Sequence, residues 1–197
     1  MTLLIIGLIL FFGIHLMPLL AYDTNLRERL GFNAYRGIFS LVSVIGFALM
    51  IIGYKQIPYE ALWISPGWTR HVVYLVMPVA VIIFMAKYHK TRLRRVIKHP
   101  MLTATLLWAS VHLLVNGDLR STIIFAAFGL YALIDMVFSN KSVTSRPGVA
   151  HSLDPDLVQK DQTATLKNDL ILIASGLTMT VILMFLHPYL SGVALFG

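Results

Sequence analysis

The sequence predicts an all-α integral membrane protein, a single domain built as a bundle of about six transmembrane helices. Two observations predict it. Of the 197 residues, 57% are hydrophobic and only 13% are charged, whereas a soluble domain is about a quarter charged. So few charges leave a water-facing surface unclothed, and lipid is the remaining solvent. The second observation is where the basic residues fall. With six apolar stretches taken as spans, loops one, three and five hold 3, 6 and 4 of the 16 Lys and Arg, and loops two and four hold 2 and 1. Cytoplasmic loops carry the Lys/Arg excess. The odd loops are therefore expected inside and both termini outside.

The spans follow in order. The first, from Thr2 to about Ala21, has no basic leader and no small-residue cleavage site, so a retained helix is expected. It carries His15, and Pro18 stands near its end. The second runs from about Gly37 to Tyr54. The loop after it holds Tyr59, Trp63 and Trp68, and such aromatics favour the headgroup region. The third span runs from about His71 to Ala86 with Pro78 inside it. The basic loop Lys87–Lys98 comes next. In a soluble protein it would suggest nucleic acid, as would the net charge of +7. Between two spans it is a cytoplasmic anchor against anionic lipid, and no nucleic-acid partner is expected. The fourth span, Pro100 to about Val115, begins with Pro in the first turn, where its missing N–H is not needed. The turn Asn116-Gly117-Asp118 leads to the fifth, about Leu119 to Phe138. A polar cytoplasmic loop, about 140–166, precedes the last span, about Asn168 to His187.

With no cysteine in the chain, disulfides, thiolate metal ligands, iron–sulfur clusters and cysteine nucleophiles are excluded. Phosphate loops, nucleophile elbows and HExxH are absent as well. The chemistry must come from ionisable groups inside the spans, which are costly there. They are His15, His112 and Asp135, with His99 at a helix entrance. Thr105, Trp108, His112 and Asn116 fall along one face of the fourth span. At 1.5 Å per residue, His15 lies about 20 Å below the outer end of its helix and His112 about 18 Å above the inner end of its own. In a core about 30 Å thick these heights differ by about 8 Å. Two imidazoles on facing helices are then candidate ligands of a metal or a haem iron. The alternative is that each histidine makes an ordinary interhelical hydrogen bond. Asp135 is a candidate for an ion pair with an arginine of the third loop. Arg36, Arg70 and Arg120 are candidates to pair the propionates of a haem.

The pieces FFGIHLMP (11–18), LGFNAYRGIFSLVS (30–43), LWISPGWTR (62–70), KHPMLTATLLW (98–108) and VHLLVNGD (111–118) together resemble the NnrU family over roughly residues 1–140. That family is similar, more distantly, to zeta-carotene isomerase, a haem b membrane enzyme. The resemblance implies a protein of the bacterial inner membrane linked to nitrite and nitric oxide reductases. By the more distant similarity, His15 and His112 match the two axial ligands of a haem b, with Trp108 and Asn116 beside them. Asp118 would cap the next helix or hold a loop. The activity so implied is redox or nitric-oxide-linked chemistry, or a haem-dependent isomerisation. The other role consistent with the family is a non-enzymatic factor for assembly or regulation of those reductases. The chain departs from the isomerase in having Ala109 three residues before His112, and nothing in it marks a polyene channel.

Overall fold

Apolar runs that cannot leave backbone groups unpaired in lipid must close their hydrogen bonds internally, and this chain does so as helix. The computed structural model describes residues 1–20, 28–142 and 164–193. Among them the long helices are α1 (Thr2–Leu16), α2 (Phe32–Gln56), α3 (Thr69–Met85), α4 (Pro100–Val115), α5 (Leu119–Ser142) and α6 (Leu166–Ser191). The described residues contain no strand, only an isolated bridge between Ala61 and Asp118. Residues 21–27 of loop one, with Arg27, and 143–163 of loop five, with Arg146 and Lys160, lie outside the described residues.

The expected six spans resolve into two kinds. Phe32–Gln56, Thr69–Tyr88, Leu119–Ser139 and Leu166–Ser191 are long and apolar enough to cross a membrane, whereas α1 and α4 are shorter, at 15 and 16 residues. Local chemistry sets both short lengths. α1 gives way at Met17 to a 3-10 turn holding Pro18, which has no N–H to offer a continuing helix. α4 is bounded by Pro100 and by the extended backbone of Asn116. The longer helices overrun the expected boundaries. α2 starts at Phe32, directly after Gly31, whose φ of 78° is outside the helical region; Arg36 lies over the Phe32 ring one turn on, 5.3 Å from its centre.

α1 packs on α2, α4 packs on both α3 and α5, and α6 packs on α3. Glycine permits the first contact. A Cβ on Gly7 would sit 2.6 Å from Met50 N, one on Gly46 2.8 Å from Phe11 N, and one on Gly53 would overlap Leu4 N. Close backbone approach through small residues is how helices associate where lipid removes the hydrophobic drive. Leu4, Met50 and Ile57 form the core there, with Phe11, Ile124 and Phe128 against them. The outward faces are apolar and exposed, as at Ile9, Leu41, Val44, Leu75 and Phe185. Such faces suit a lipid bilayer.

Two clasps fix the ends. At one end the 57–68 loop folds onto the turn between α4 and α5. Leu62 N and Trp63 N donate to Gly117 O at 2.7 and 3.1 Å, and Leu119 N donates to Glu60 O at 2.9 Å. A Cβ at Gly117 would overlap Trp63 O, so only glycine lets the loop close this tightly. At the other end, Asp169 on α6 accepts from Thr91 Oγ1 (2.7 Å) and Arg92 N (3.1 Å). There too His89 Nε2 lies 3.0 Å from Ser175 Oγ. The basic loop is thereby tied to the last helix.

Candidate functional site

The half of the bundle that carries the 57–68 and 116–118 loops encloses a cavity of about 500 Å³. This is within the range of small-molecule and cofactor sites. Five helices supply its wall: Phe47, Met50 and Tyr54 from α2, Arg70 and Tyr74 from α3, Trp108, His112 and Asn116 from α4, Phe125 and Phe128 from α5, and His187 and Ser191 from α6. A second cavity of about 220 Å³, between α3, α4 and α6, shares His112 and His187 with it.

α4 aims three polar residues into this space by helical repeat. Trp108, His112 and Asn116 are four residues apart, and the last two each bond back one turn. His112 Nδ1 donates to Trp108 O at 2.8 Å and Asn116 Nδ2 donates to His112 O at 3.0 Å. Thr105 continues the stripe in sequence but turns its hydroxyl onto Met101 O and stays out of the cavity. A carbonyl only accepts, so the His112 proton on that bond is on Nδ1 and Nε2 is left as the lone-pair edge. Among the described residues neither ring nitrogen bonds a neighbouring helix. The ring is 9% exposed, against Trp108 at 5.3 Å and Phe125 at 4.7 Å.

His15 has the same local device, with Nδ1 2.7 Å from Phe11 O, but a different place. Its ring stacks on Phe11 at 4.2 Å and lies edge-on to Phe39 (5.0 Å) and Tyr131 (6.0 Å), between α1, α2 and α5. The expected depths agree with the packing. Phe125 lies beside His112 and Tyr131 beside His15, six residues apart on α5, about 9 Å along the axis. The rings do not meet, however. The contacts run from His112 to Trp108, then Phe128 (5.2 Å), Phe11 (5.5 Å) and His15. The two imidazoles are linked through the ring contacts of Trp108, Phe128 and Phe11 rather than directly, and His15 does not line the cavity.

The remaining candidates are distributed by their own partners. Asp118 is buried and accepts from Ser121 N at 3.1 Å, as a capping residue does, while pairing with Arg120 at 3.4 Å. Arg120 also donates to Tyr54 O (3.3 Å) and Ile57 O (2.8 Å), so it holds the loop clasp. Arg36 lies at the opposite end of α2, over Phe32. Of the three arginines, Arg70 alone lines the cavity, where it is an exposed residue at the rim. Asp135 accepts from Tyr131 (3.1 Å) and Ser139 (2.9 Å) of its own helix rather than from an arginine of the basic loop. His99 precedes Pro100 at the far end of α4 from His112. Among the described residues no group of three or more His, Asp or Glu is placed to hold a bare metal ion.

His187 is the residue that sequence reasoning passed over, because it stands at the end of the last span. The His89–Ser175 bond gives the missing register. From Ser175 to His187 is twelve residues, as from Pro100 to His112, about 18 Å in each case. α6 begins about two turns below that bond, which is why its final turn comes level with His112.

A haem b fits the donor set at His112. The residues present are an imidazole with a free Nε2, an aromatic and aliphatic wall, and one arginine at the rim to meet a carboxylate. Ligation with the other ring nitrogen tied to a backbone carbonyl is the usual way a metal-bound histidine is oriented. No match was found among curated proteins or solved structures. The family model described as NnrU protein matches residues 3–195, well past the motifs before residue 140 and through α6. The chain belongs to the NnrU family.

Proposed function

We propose that this NnrU-family protein is a haem b protein of the bacterial inner membrane, serving the denitrification system, with His112 as an axial ligand. One observation carries the reading. The His112 ring spends Nδ1 on its own helix and leaves Nε2 without a protein partner at the wall of the 500 Å³ cavity. An imidazole edge that faces a cavity with no partner among the described residues is open to a ligand. A bound haem supplies one-electron redox chemistry and a coordination position whose access the protein controls.

The chain's own residues do the rest. The Trp108 carbonyl fixes the tautomer and angle of His112. Trp108, Phe125 and Phe128 give an apolar wall against which a macrocycle would pack. Arg70, exposed at the rim, would pair a propionate, and Asn116 would add a polar edge to the wall. Such a site suits redox sensing, electron transfer, nitric-oxide-linked chemistry or a haem-dependent isomerisation in the membrane. The test is haem content. His112→Ala, purified beside wild type in mild detergent, is expected to lose bound haem while keeping its helix content by circular dichroism. Full haem retention in that variant would overturn the assignment.

A further inference from the structure

The cavity contains a second imidazole that is set up as His112 is. His187, on the last turn of α6, lines both the 500 Å³ and the 220 Å³ cavities together with His112. Its Nδ1 is 3.0 Å from Val193 O and 3.1 Å from Ser191 Oγ. Because Val193 O can only accept, the proton is on Nδ1 and Nε2 is again the lone-pair edge. The turn that carries it is pinned. Ser191 Oγ donates to His187 O at 2.9 Å, and Val193 N donates to Ser191 Oγ at 3.0 Å. Lys55 Nζ at the end of α2 donates to Tyr189 O at 2.7 Å, holding the end of α6 over the cavity mouth. His112 from α4 and His187 from α6 face the same two cavities. His15 has none of this access, since it lines neither cavity.

We infer that His187, and not His15, is the second axial ligand of the iron that His112 holds, so that α4 and α6 clamp one cofactor between them. This rests on the haem reading above and adds to it a six-coordinate centre whose second ligand sits on the last turn of the chain's final helix. Ser191 is then a positioning residue, orienting the His187 ring through the αL turn at Gly192, whose φ is 76°.

The experiment is absorption and electron paramagnetic resonance spectroscopy of the full-length haem-loaded protein as wild type, His187→Ala, His187→Met and His15→Ala. Wild type and His15→Ala are expected to give the same low-spin, six-coordinate spectrum. His187→Ala is expected to turn high-spin, with added imidazole restoring the low-spin bands. If the alanine variant fails to fold, His187→Met decides, because a thioether in place of an imidazole raises the reduction potential. A His187→Met protein with an unchanged potential and spectrum overturns the inference. So does a His187→Ala protein that stays low-spin, while leaving haem at His112 intact. A wild-type protein without haem overturns both readings.

Discussion

At the residue scale, one side chain does two jobs in the turn after α4. Asp118 caps α5 through Ser121 N and pairs with Arg120, which itself grips the Tyr54 and Ile57 carbonyls. Losing a capping side chain costs about 1 kcal/mol. Asp118→Ala is expected to lower the thermal midpoint in detergent more than Asp118→Asn, which keeps the acceptor and drops only the charge. Equal midpoints for the two variants would show that the capping bond contributes nothing beyond the ion pair. Gly53 makes a second claim of this kind. A methyl there overlaps the Leu4 backbone, and overpacking costs about 1–3 kcal/mol. Gly53→Ala is therefore expected to loosen α1 from α2 and lower the midpoint. An unchanged midpoint would mean that the helices part at no cost.

At the element scale, the helices were legible in the sequence and their facing was not. Pro18, Pro100 and Asn116-Gly117-Asp118 mark where α1 and α4 stop or start, and each acts by local chemistry that a sequence carries on its surface. The heights of His15 and His112 were also legible, because rise per residue is fixed. Their meeting was not. Whether two side chains at one depth converge depends on helix rotation and lateral packing, and here the rings of Phe11, Phe128 and Trp108 link the two instead. His187 was hidden for a related reason. Its level depends on how far α6 starts below the Ser175 contact, which only the packing reveals. The clasp at that end gives a prediction. Asp169 holds the basic loop through Thr91 and Arg92. Asp169→Ala is expected to be cut by trypsin within Arg92–Lys98 several times faster than wild type. Equal cleavage rates would assign the clasp no part in ordering the loop.

At the scale of the whole molecule, the bundle divides into two halves. One end holds the cavity, the aromatic loop and the clasp at Gly117. The other holds the basic loop. From the Lys and Arg distribution the basic end is expected in the cytoplasm and the cavity half outside. The absence of native cysteine makes this simple to check. Ile64 is 93% exposed and Lys98 is exposed at the opposite end. In intact cells, Ile64→Cys is expected to react with a membrane-impermeant maleimide and Lys98→Cys only after permeabilisation. The reverse pattern would invert the orientation.

The central claim is that the cavity at His112 holds a haem. It is tested most directly by an absorption spectrum of the purified wild-type protein in mild detergent, oxidised and then reduced with dithionite. A Soret band with sharp reduced α and β bands is the predicted result. A colourless protein after expression with a haem precursor would contradict the claim and favour a role in assembling or regulating the reductases.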